Sequence, residues 1–334
     1  MNLPYELAAC PACDSRDEEQ IATREKIIRE VESLWEFHLR RLRPGTPRRS
    51  LTDRVVFSQD PPLRLGRCRV CGTLYRNPRE RGRELLHLYA EEELEPQVLR
   101  ALFDAQRRSY ATQARRLTSI VGGVGTALEV GSYVGAFQAA GREVGWRVEG
   151  VDVNPQAARF ARDGGFQVHE GEIGTLSADR RYDAITIWNC FDQLPRPRDT
   201  VRAARQRLKP GGMLALRVPN GAFYAALQPH LEGPFAAIAR GMLAHNNMLG
   251  FPYRTGYTAR SLERLLRSEG FIVAAVLGDT LVPTADRWTR GWAHWEERVV
   301  KRLLAVVAGG SRAPWIELYA RSDPHCTQSV QANE

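Results

Sequence analysis

The sequence predicts a doubly wound α/β fold preceded by a small cysteine-bearing region at the N-terminus. From about residue 126 onward, short apolar segments alternate with segments of helical period, which is typical of a parallel sheet covered by helices. A glycine turn at 131–135 follows the first apolar segment, and an acid, Asp152, ends the second. Such a turn and acid predict a ligand site at the loop edge of the sheet.

The composition is that of an ordinary globular chain. Of 334 residues, 43% are hydrophobic and 26% are charged, which suits one large or two modest domains. The apolar runs are too short to cross a bilayer, and the first residues lack the basic start and apolar run of a signal peptide. We therefore expect a cytoplasmic protein without a transmembrane segment.

The periodicity predicts the order of the elements. The predicted strands are 126–130, 147–151, 166–169, 182–187, 212–218, 271–277 and 314–320, with helices at 136–144, 155–163, 198–208 and 258–269. Upstream, apolar spacing predicts a helix over 17–43, a short strand at Val55–Phe57 and a polar helical connector within 80–120.

Two insertions interrupt this alternation. Residues 220–256 follow the end of a strand, where open α/β sheets bind ligands, and are a candidate substrate lid. Residues 285–308 form a predicted helix whose tryptophans cluster on one side, which suits core packing, a homodimer face or peripheral membrane contact. We divide the chain into 1–80, 81–125, 126–321 and a polar tail at 322–334.

Four of the six cysteines form two Cys-x-x-Cys pairs, Cys10 with Cys13 and Cys68 with Cys71. In a cytosolic protein this pattern indicates a metal site rather than disulfides, and two such turns complete a tetrahedron around zinc. Because protein sulfurs would fill all four positions, we expect a structural ion. The pairing predicts that 1–80 is a small zinc-binding region.

The positive charge of the chain is concentrated near these cysteines. Between Arg40 and Arg83 there are thirteen arginines against three acids, although the net charge of the whole chain is only +8. Such a stretch would suit nucleic acid, a nucleotide diphosphate or an anionic membrane surface, or it is simply a solvated face.

Four segments, in the right order, resemble the class I S-adenosylmethionine-dependent methyltransferases. They are the glycine loop at 128–135, the strand and acid at 150–155, the fourth strand at 182–189, and Leu-Lys-Pro-Gly-Gly opening the strand at 208–220. The resemblance covers 126–321 and implies a seven-stranded Rossmann-like methyltransferase sheet that binds S-adenosylmethionine. A nicotinamide dehydrogenase is disfavoured because its glycine pattern is absent.

The resemblance also implies roles for individual residues. Glu129 would lie near the amino acid end of the cofactor, Asp152 would bind the ribose, and Asn189 would line the methyl-transfer face. The full set of implied cofactor-binding residues is Glu129, Gly131, Ser132, Tyr133, Gly135, Asp152, Val153, Glu172, Ile173 and Asn189.

The chain departs from the family pattern in two places. Tyr133 occupies the position of the central glycine, which we interpret as tuned cofactor binding. The Glu-His that often follows the fourth strand is replaced by Asp192-Gln193, so a catalytic base must come from elsewhere. The candidate catalytic residues are Asp192, His245 and Tyr257, with Tyr253 as a further substitute.

The cysteine pairs together with this domain resemble bacterial methyltransferases of sugar, polysaccharide and natural-product pathways. We therefore expect a small-molecule acceptor such as a nucleotide- or lipid-linked sugar. One alternative is an RNA methyltransferase that captures its substrate through the basic stretch. Another is a cofactor-binding protein without catalytic activity, suggested by Tyr133 and the missing Glu-His.

Overall fold

The computed structural model describes residues 5–46, 64–82, 86, 89–90, 95–177, 179–281, 288–307 and 309–323. The predicted strand Val55–Phe57 and most of the 322–334 tail lie outside the described residues.

The N-terminal part contributes short strands and two helices. They are β1 (Tyr5–Glu6), β2 (Glu18–Thr23), α1 (Arg24–Arg41), β3 (Arg64–Cys68), β4 (Leu74–Arg76), β5 (Arg79–Glu80) and α2 (Pro96–Val121). The downstream part follows as β6 (Thr126–Val130), α3 (Ala136–Glu143), β7 (Arg147–Asp152), α4 (Pro155–Asp163), β8 (Gln167–Glu170), β9 (Tyr182–Trp188), α5 (Pro197–Arg207), β10 (Leu208–Pro219), α6 (Gly221–Leu227), α7 (Ala236–Ala244), β11 (Thr255–Gly256), α8 (Ala259–Ser268), β12 (Phe271–Asp279), α9 (Gly291–Val307) and β13 (Trp315–Ser322).

The main sheet has the strand order β12-β13-β10-β9-β6-β7-β8. Strands β10, β9, β6, β7 and β8 pair in parallel, whereas β13 runs antiparallel to both β10 and β12. The seven predicted strands are the seven strands of this sheet, so the predicted doubly wound α/β fold is confirmed.

Burial on both faces explains why these segments form central strands. Every residue from Ala127 to Val130 is buried, as is the run from Met213 to Pro219 in β10. Separate apolar cores lie on the two sides of the sheet. Near-continuous apolar runs of this kind are typical of parallel strands covered by helices.

Local capping signals explain why the predicted helix boundaries lie close to the observed ones. Helix α4 starts after Asn154, whose side chain accepts hydrogen bonds from two backbone N–H groups, with Pro155 in the first helical position. Helix α8 starts with a reciprocal capping box between Thr258 and Ser261. These interactions are encoded within a few residues, so sequence alone can locate them.

The predicted helix over 17–43 is wrong in its first part. Residues 18–23 form β2, which pairs antiparallel with β3, and the helix is confined to Arg24–Arg41. Glu18 forms an ion pair with Arg64 across the two strands. The partner strand is about forty residues away in sequence, so local periodicity could not reveal the pairing.

The polar helical region predicted over 80–120 contains one long helix, α2, which begins at Pro96. Proline is favoured in the first turn of a helix. The C-terminus of α2 is closed by Gly122, which has the left-handed conformation typical of a helix end.

Residues 220–256 fold back on the N-terminal part. Helices α6 and α7 pack with α1 in a separate apolar core. Strand β11 adds to the antiparallel sheet β11-β4-β3-β2, so the insertion and the cysteine region share one small sheet. The second insertion, 285–308, contains helix α9 at Gly291–Val307. Within the described residues, no helix is long and apolar enough to cross a membrane.

Candidate functional site

A cavity of about 1010 Å³ lies at the carboxyl edge of β6, β7 and β9. Its walls come from the loops after these strands, from α2 and from the end of the 220–256 insertion. Seven of the ten predicted cofactor-binding residues line it: Gly131, Tyr133, Asp152, Val153, Glu172, Ile173 and Asn189. The cavity therefore lies where open α/β sheets bind their ligands.

The loop after β6 depends on backbone conformations that favour glycine. Gly131 and Gly135 have φ angles of 71° and 75°, and a Cβ on Gly131 would lie 2.6 Å from the Cys190 sulfur. Tyr133 adopts the same left-handed region with φ of 45°, which is unusual for a residue with a side chain. The tight turn brings the Tyr133 backbone N–H within 2.7 Å of an Asp152 carboxylate oxygen.

Asp152 ends β7 and lines the cavity while being only 7% exposed. Burial raises the pKa of its carboxyl, whereas backbone N–H donors from Asn154, at 2.8 Å, and Tyr133 lower it. The acid is thus held in one orientation by the backbone and does not need a partner side chain.

Glu129, Ser132 and Gly135 are the predicted cofactor residues that do not line the cavity. Glu129 is 2% exposed, and neither its Oε2 nor the Ser132 hydroxyl has a hydrogen-bond partner among the described residues. Burial, together with nearby Asp152, raises the pKa of Glu129 well above its usual value. A buried carboxyl without a partner is costly, and a cationic ligand group at this point would compensate it.

Asn189 is held by hydrogen bonds on both sides of its amide. Its Oδ1 accepts from Arg217 at 2.5 Å, and its Nδ2 donates to the Tyr110 hydroxyl at 3.0 Å. Arg217 is itself buried, donates to Asp279 at 2.9 Å and stacks on Trp315 at 4.5 Å. The Asn189 side chain is therefore fixed on the cavity wall by Tyr110 and by Arg217, which is itself held by Asp279.

Helix α2 supplies a wall that the sequence analysis missed. Val98, Leu102, Gln106 and Tyr110 are spaced four residues apart and all line the cavity. This spacing puts them on one helix face, so the pattern was available in the sequence. What the sequence did not show is which sheet edge this face covers.

Two tyrosines form an aromatic part of the wall. Tyr89 and Tyr253 stack with their ring centroids 6.3 Å apart and their planes inclined by 20°. Tyr89 also donates from its hydroxyl to Gln193 at 3.3 Å, and its carbonyl accepts from Asn154 at 2.9 Å. Tyr253 is the residue of the predicted lid, 220–256, that lines the cavity.

The three candidate catalytic residues are buried and do not line the cavity. Asp192 is 2% exposed, but its neighbours Cys190 and Gln193 are part of the wall. Among the described residues its Oδ1 has no hydrogen-bond partner, and burial raises the pKa of the carboxyl to about 7. A carboxyl with this pKa can exchange a proton at neutral pH.

His245 and Tyr257 lie in different surroundings. His245 packs edge to face against Phe37, with centroids 4.9 Å apart, and burial together with Arg41 lowers its pKa to about 3. Tyr257 packs on Phe191 at 5.2 Å, and burial raises the pKa of its phenol far above the usual value. Of the three candidates, Asp192 has the flanking residues that reach the cavity.

The four paired cysteines come together as predicted from their spacing. All four sulfurs lie within 4.8 Å of one another, with Cys10 and Cys71 at 3.5 Å and Cys13 and Cys68 at 3.5 Å. Zinc–sulfur bonds of about 2.3 Å give a tetrahedron with edges of roughly 3.8 Å, close to these distances. The donor set and its spacing fit a tetrahedral metal ion.

Comparisons with known proteins agree with this geometry. A family described as "Methyltransferase domain" matches residues 85–276. Ubiquinone biosynthesis O-methyltransferase from Azoarcus sp. (strain BH72) is 27% identical over 165 residues, which are 47% of this chain and 68% of that protein. The protein of the same name from Nitrosospira multiformis is 26% identical over 176 residues, 49% and 70% of the two chains.

Solved structures with a related fold include a Thermotoga maritima methyltransferase described as a possible histamine N-methyltransferase. It is 14% identical, with 72% of this chain and 100% of that chain covered and a TM-score of 0.47. The glycopeptide N-methyltransferase MtfA in complex with S-adenosylmethionine is 15% identical over 64% of this chain and 94% of its own, with a TM-score of 0.42.

The fold, the site and the family match define a cofactor-dependent transferase of the doubly wound α/β class. The chain belongs to the methyltransferase domain family, and it is an S-adenosylmethionine-dependent methyltransferase. The prediction of a methyltransferase is confirmed, and the alternative of a protein without enzymatic activity is set aside.

The raised pKa of Asp192 predicts how stability depends on pH. Between the pKa of an unfolded aspartate, about 3.9, and the folded value of about 7, only the folded state keeps the proton, so stability falls as pH rises. We expect Asp192→Asn to raise the free energy of unfolding at pH 8 by a few kcal/mol, on the order of the linked pKa shift, and to change it little at pH 4. Urea unfolding at both pH values measures this. Asp199→Asn, at an exposed carboxylate, is the control, and equal effects of Asp192→Asn at the two pH values would contradict the assignment.

Proposed function

We propose that this enzyme methylates a small molecule bound in the same cavity as the cofactor. The size of the cavity carries the proposal. Pockets for a single drug-sized ligand occupy roughly 300–1,000 Å³, so about 1010 Å³ has room for S-adenosylmethionine and a second small molecule. When bound, the cofactor supplies an electrophilic methyl group.

The chain's own residues provide distinct surroundings for each part of the cofactor. The unpartnered Glu129 carboxylate suits the ammonium of the amino acid end, and the Asp152 carboxylate suits the ribose hydroxyls. Glu172 and Ile173, which line the cavity, would border the adenine. These assignments follow the roles that the family resemblance implies.

The remaining wall suits a ring-shaped acceptor. Tyr89 and Tyr253 present flat apolar surface, and Val98 and Leu102 on α2 add aliphatic surface. An aromatic face packs against the C–H face of a sugar ring or against another aromatic ring. We therefore propose a sugar, glycoconjugate or natural-product intermediate. The two relatives named as ubiquinone biosynthesis O-methyltransferases also favour a small-molecule acceptor.

Asp192 is the proposed general base, where the acceptor needs one. It lies directly between Cys190-Phe191 and Gln193 at the end of β9, and its pKa of about 7 suits proton removal at neutral pH. His245 is a poorer candidate because its pKa of about 3 leaves a weakly basic imidazole, buried against Phe37 and away from the cavity. Asn189, fixed by Arg217 and Tyr110, would orient the acceptor for in-line attack.

The charge distribution argues against RNA as the acceptor. Within the described part of the 40–83 stretch, six arginines form ion pairs with acids: Arg41, Arg64, Arg67, Arg69, Arg76 and Arg79. Binding of phosphates depends on cations that are free to replace counterions. Most of the arginines of this stretch that the structure describes are thus already engaged with acids.

We propose that the cysteine cluster binds one structural zinc ion. The cluster holds the turn between β3 and β4, and β4 pairs with β11 of the insertion through Tyr75 and Thr255. Arg76 of β4 donates to the Pro252 carbonyl at 3.4 Å, next to Tyr253. The ion would thereby stabilise the segment that places an aromatic side chain in the acceptor wall.

Binding of S-adenosylmethionine should depend on the Glu129 carboxylate. An ammonium beside it favours the ionised form, so binding releases a proton and tightens as pH rises from 5 to 8. We expect Glu129→Gln to weaken binding about 10- to 100-fold at pH 8, the effect of losing one charged hydrogen bond, and to flatten this pH dependence. Titration calorimetry measures both. Glu149→Gln, on β7 of the same sheet but with its carboxylate engaged by Arg180 and Tyr182, is the control, and unchanged binding by Glu129→Gln would refute the assignment.

Replacing Tyr133 by glycine tests whether the tyrosine is a contact or an obstruction. Removal of an aromatic contact worth about 0.5–1.5 kcal/mol should weaken S-adenosylmethionine binding roughly 2- to 12-fold. Stability should change by less than about 1 kcal/mol, because relief of left-handed strain offsets the greater freedom of glycine in the unfolded chain. Tyr133→Phe keeps the ring and should bind like the wild type. Tighter binding by Tyr133→Gly would show that the ring obstructs the site.

Metal analysis tests the zinc assignment. The purified protein should contain about one zinc per chain, and Cys71→Ser should lose it, whereas Cys190→Ser should keep it. In the metal-free variant we expect faster hydrogen exchange at 251–257, while the strands of the main sheet stay protected. A metal-free wild type with unchanged melting temperature would contradict the proposal.

Transfer itself is measured as S-adenosylhomocysteine formation with nucleotide-linked sugars, aromatic phenols and RNA as separate acceptors. Turnover with RNA alone would overturn the small-molecule assignment.

A further inference from the structure

Helix α9 places large apolar side chains on its solvent side. Trp292, Trp295, Leu303 and Val306 are 47%, 68%, 59% and 83% exposed. Their spacing puts them on one face of the helix, in a stripe roughly 20 Å long at 1.5 Å per residue. Isolated exposed apolar residues are common, but a continuous stripe with two tryptophans indicates a binding surface.

The protein side of the same helix is partly polar. Ala293 and Leu304 are buried there, together with Glu297 and Lys301, which form an ion pair of 2.7 Å. A helix that only packs on a globular core has the opposite arrangement, with apolar residues inside and charges outside. The pattern of α9 therefore differs from that of a helix that only packs on a core, which indicates that its exposed apolar side has a role of its own.

The charges beside the stripe are positive. Arg298 and Arg302 are exposed one turn apart, next to Trp295 and Val306 in the helix, and neither forms an ion pair or hydrogen bond with the described residues. The acids of α9 are already engaged, Glu296 with Arg41 and Glu297 with Lys301. The exposed face thus combines apolar and cationic groups without an acid to balance them.

The apolar stripe and the two arginines together indicate which kind of partner would bind this face of α9. A second copy of the chain packed through α9 would bring like-charged arginines together around the stripe. A bilayer with anionic headgroups offers acyl chains to the stripe and negative charge to the arginines, and tryptophan is suited to the boundary between them. We propose that α9 lies in the plane of an anionic lipid surface and docks the enzyme on it.

The proposal is independent of the acceptor and of the zinc assignment. It goes beyond the proposed function because it concerns where the enzyme acts.

Co-sedimentation of the full chain with vesicles tests it. Binding should be at least about tenfold stronger to phosphatidylglycerol–phosphatidylcholine vesicles than to phosphatidylcholine vesicles, and salt should weaken it. Trp292→Ser with Trp295→Ser should reduce binding at least about tenfold. Arg298→Gln with Arg302→Gln should abolish the preference for anionic lipid. Binding of S-adenosylmethionine serves as the measure of correct folding for every variant.

The matched control lies at the start of α7, where Phe235, the residue before the helix, and Ile238 within it are 61% and 64% exposed. Phe235→Ser with Ile238→Ser should bind vesicles like the wild type. Absence of vesicle binding, or equal loss in the α7 control, would overturn the proposal. A concentration-dependent dimer in sedimentation that Trp295→Ser dissociates would assign the face to a second copy instead.

Discussion

The hydrogen bond between the Tyr133 backbone N–H and the Asp152 carboxylate connects the two loops on which the site depends. It ties the turn after β6 to the end of β7, while Gly131 donates to the Val151 carbonyl at 2.9 Å. A turn this tight needs left-handed backbone angles, which is why glycines flank it. The left-handed Tyr133 shows that the chain tolerates local strain at the edge of the cavity.

Several charged side chains near the cavity are buried, and burial determines how each of them is stabilised. Arg217 of the neighbouring strand β10 pairs with Asp279 and donates to Asn189, so one side chain joins the core to the cavity wall. Among the described residues, Glu129 Oε2 and Asp192 Oδ1 have no hydrogen-bond partner, and burial raises the pKa of both carboxyls. Perturbed pKa values of this kind are typical of sites that bind charged ligands or transfer protons.

The cysteine region is joined to the catalytic part by backbone pairing. Strand β11 leaves the insertion to extend the sheet of the cysteine turns, and Arg198 of α5 donates to the Ala12 carbonyl at 2.9 Å. The small region with four cysteines is thus joined to the segment that carries Tyr253, which lines the cavity.

The sequence was most informative where the determining interactions are local. Apolar runs predicted all seven strands of the main sheet, and the glycine turn with Asp152 predicted the sheet edge at which the cavity lies. The strand at Glu18–Thr23 was mistaken for helix because its partner lies far along the chain. The sequence showed the periodic face of α2 but not that this face covers the cavity.

By itself, the sequence determined the class of fold, the family and the four cysteines that meet, because strand burial, turn geometry and ligand spacing act over short distances in the chain. Only the tertiary structure decided where the candidate bases lie relative to the cavity. It buried His245 against Phe37, away from the cavity, and it left Asp192 between two residues of the cavity wall, Cys190 and Gln193. It also turned the tryptophans of α9 outward. The positions of these side chains depend on packing between segments that are far apart in the sequence, which local sequence patterns do not reveal.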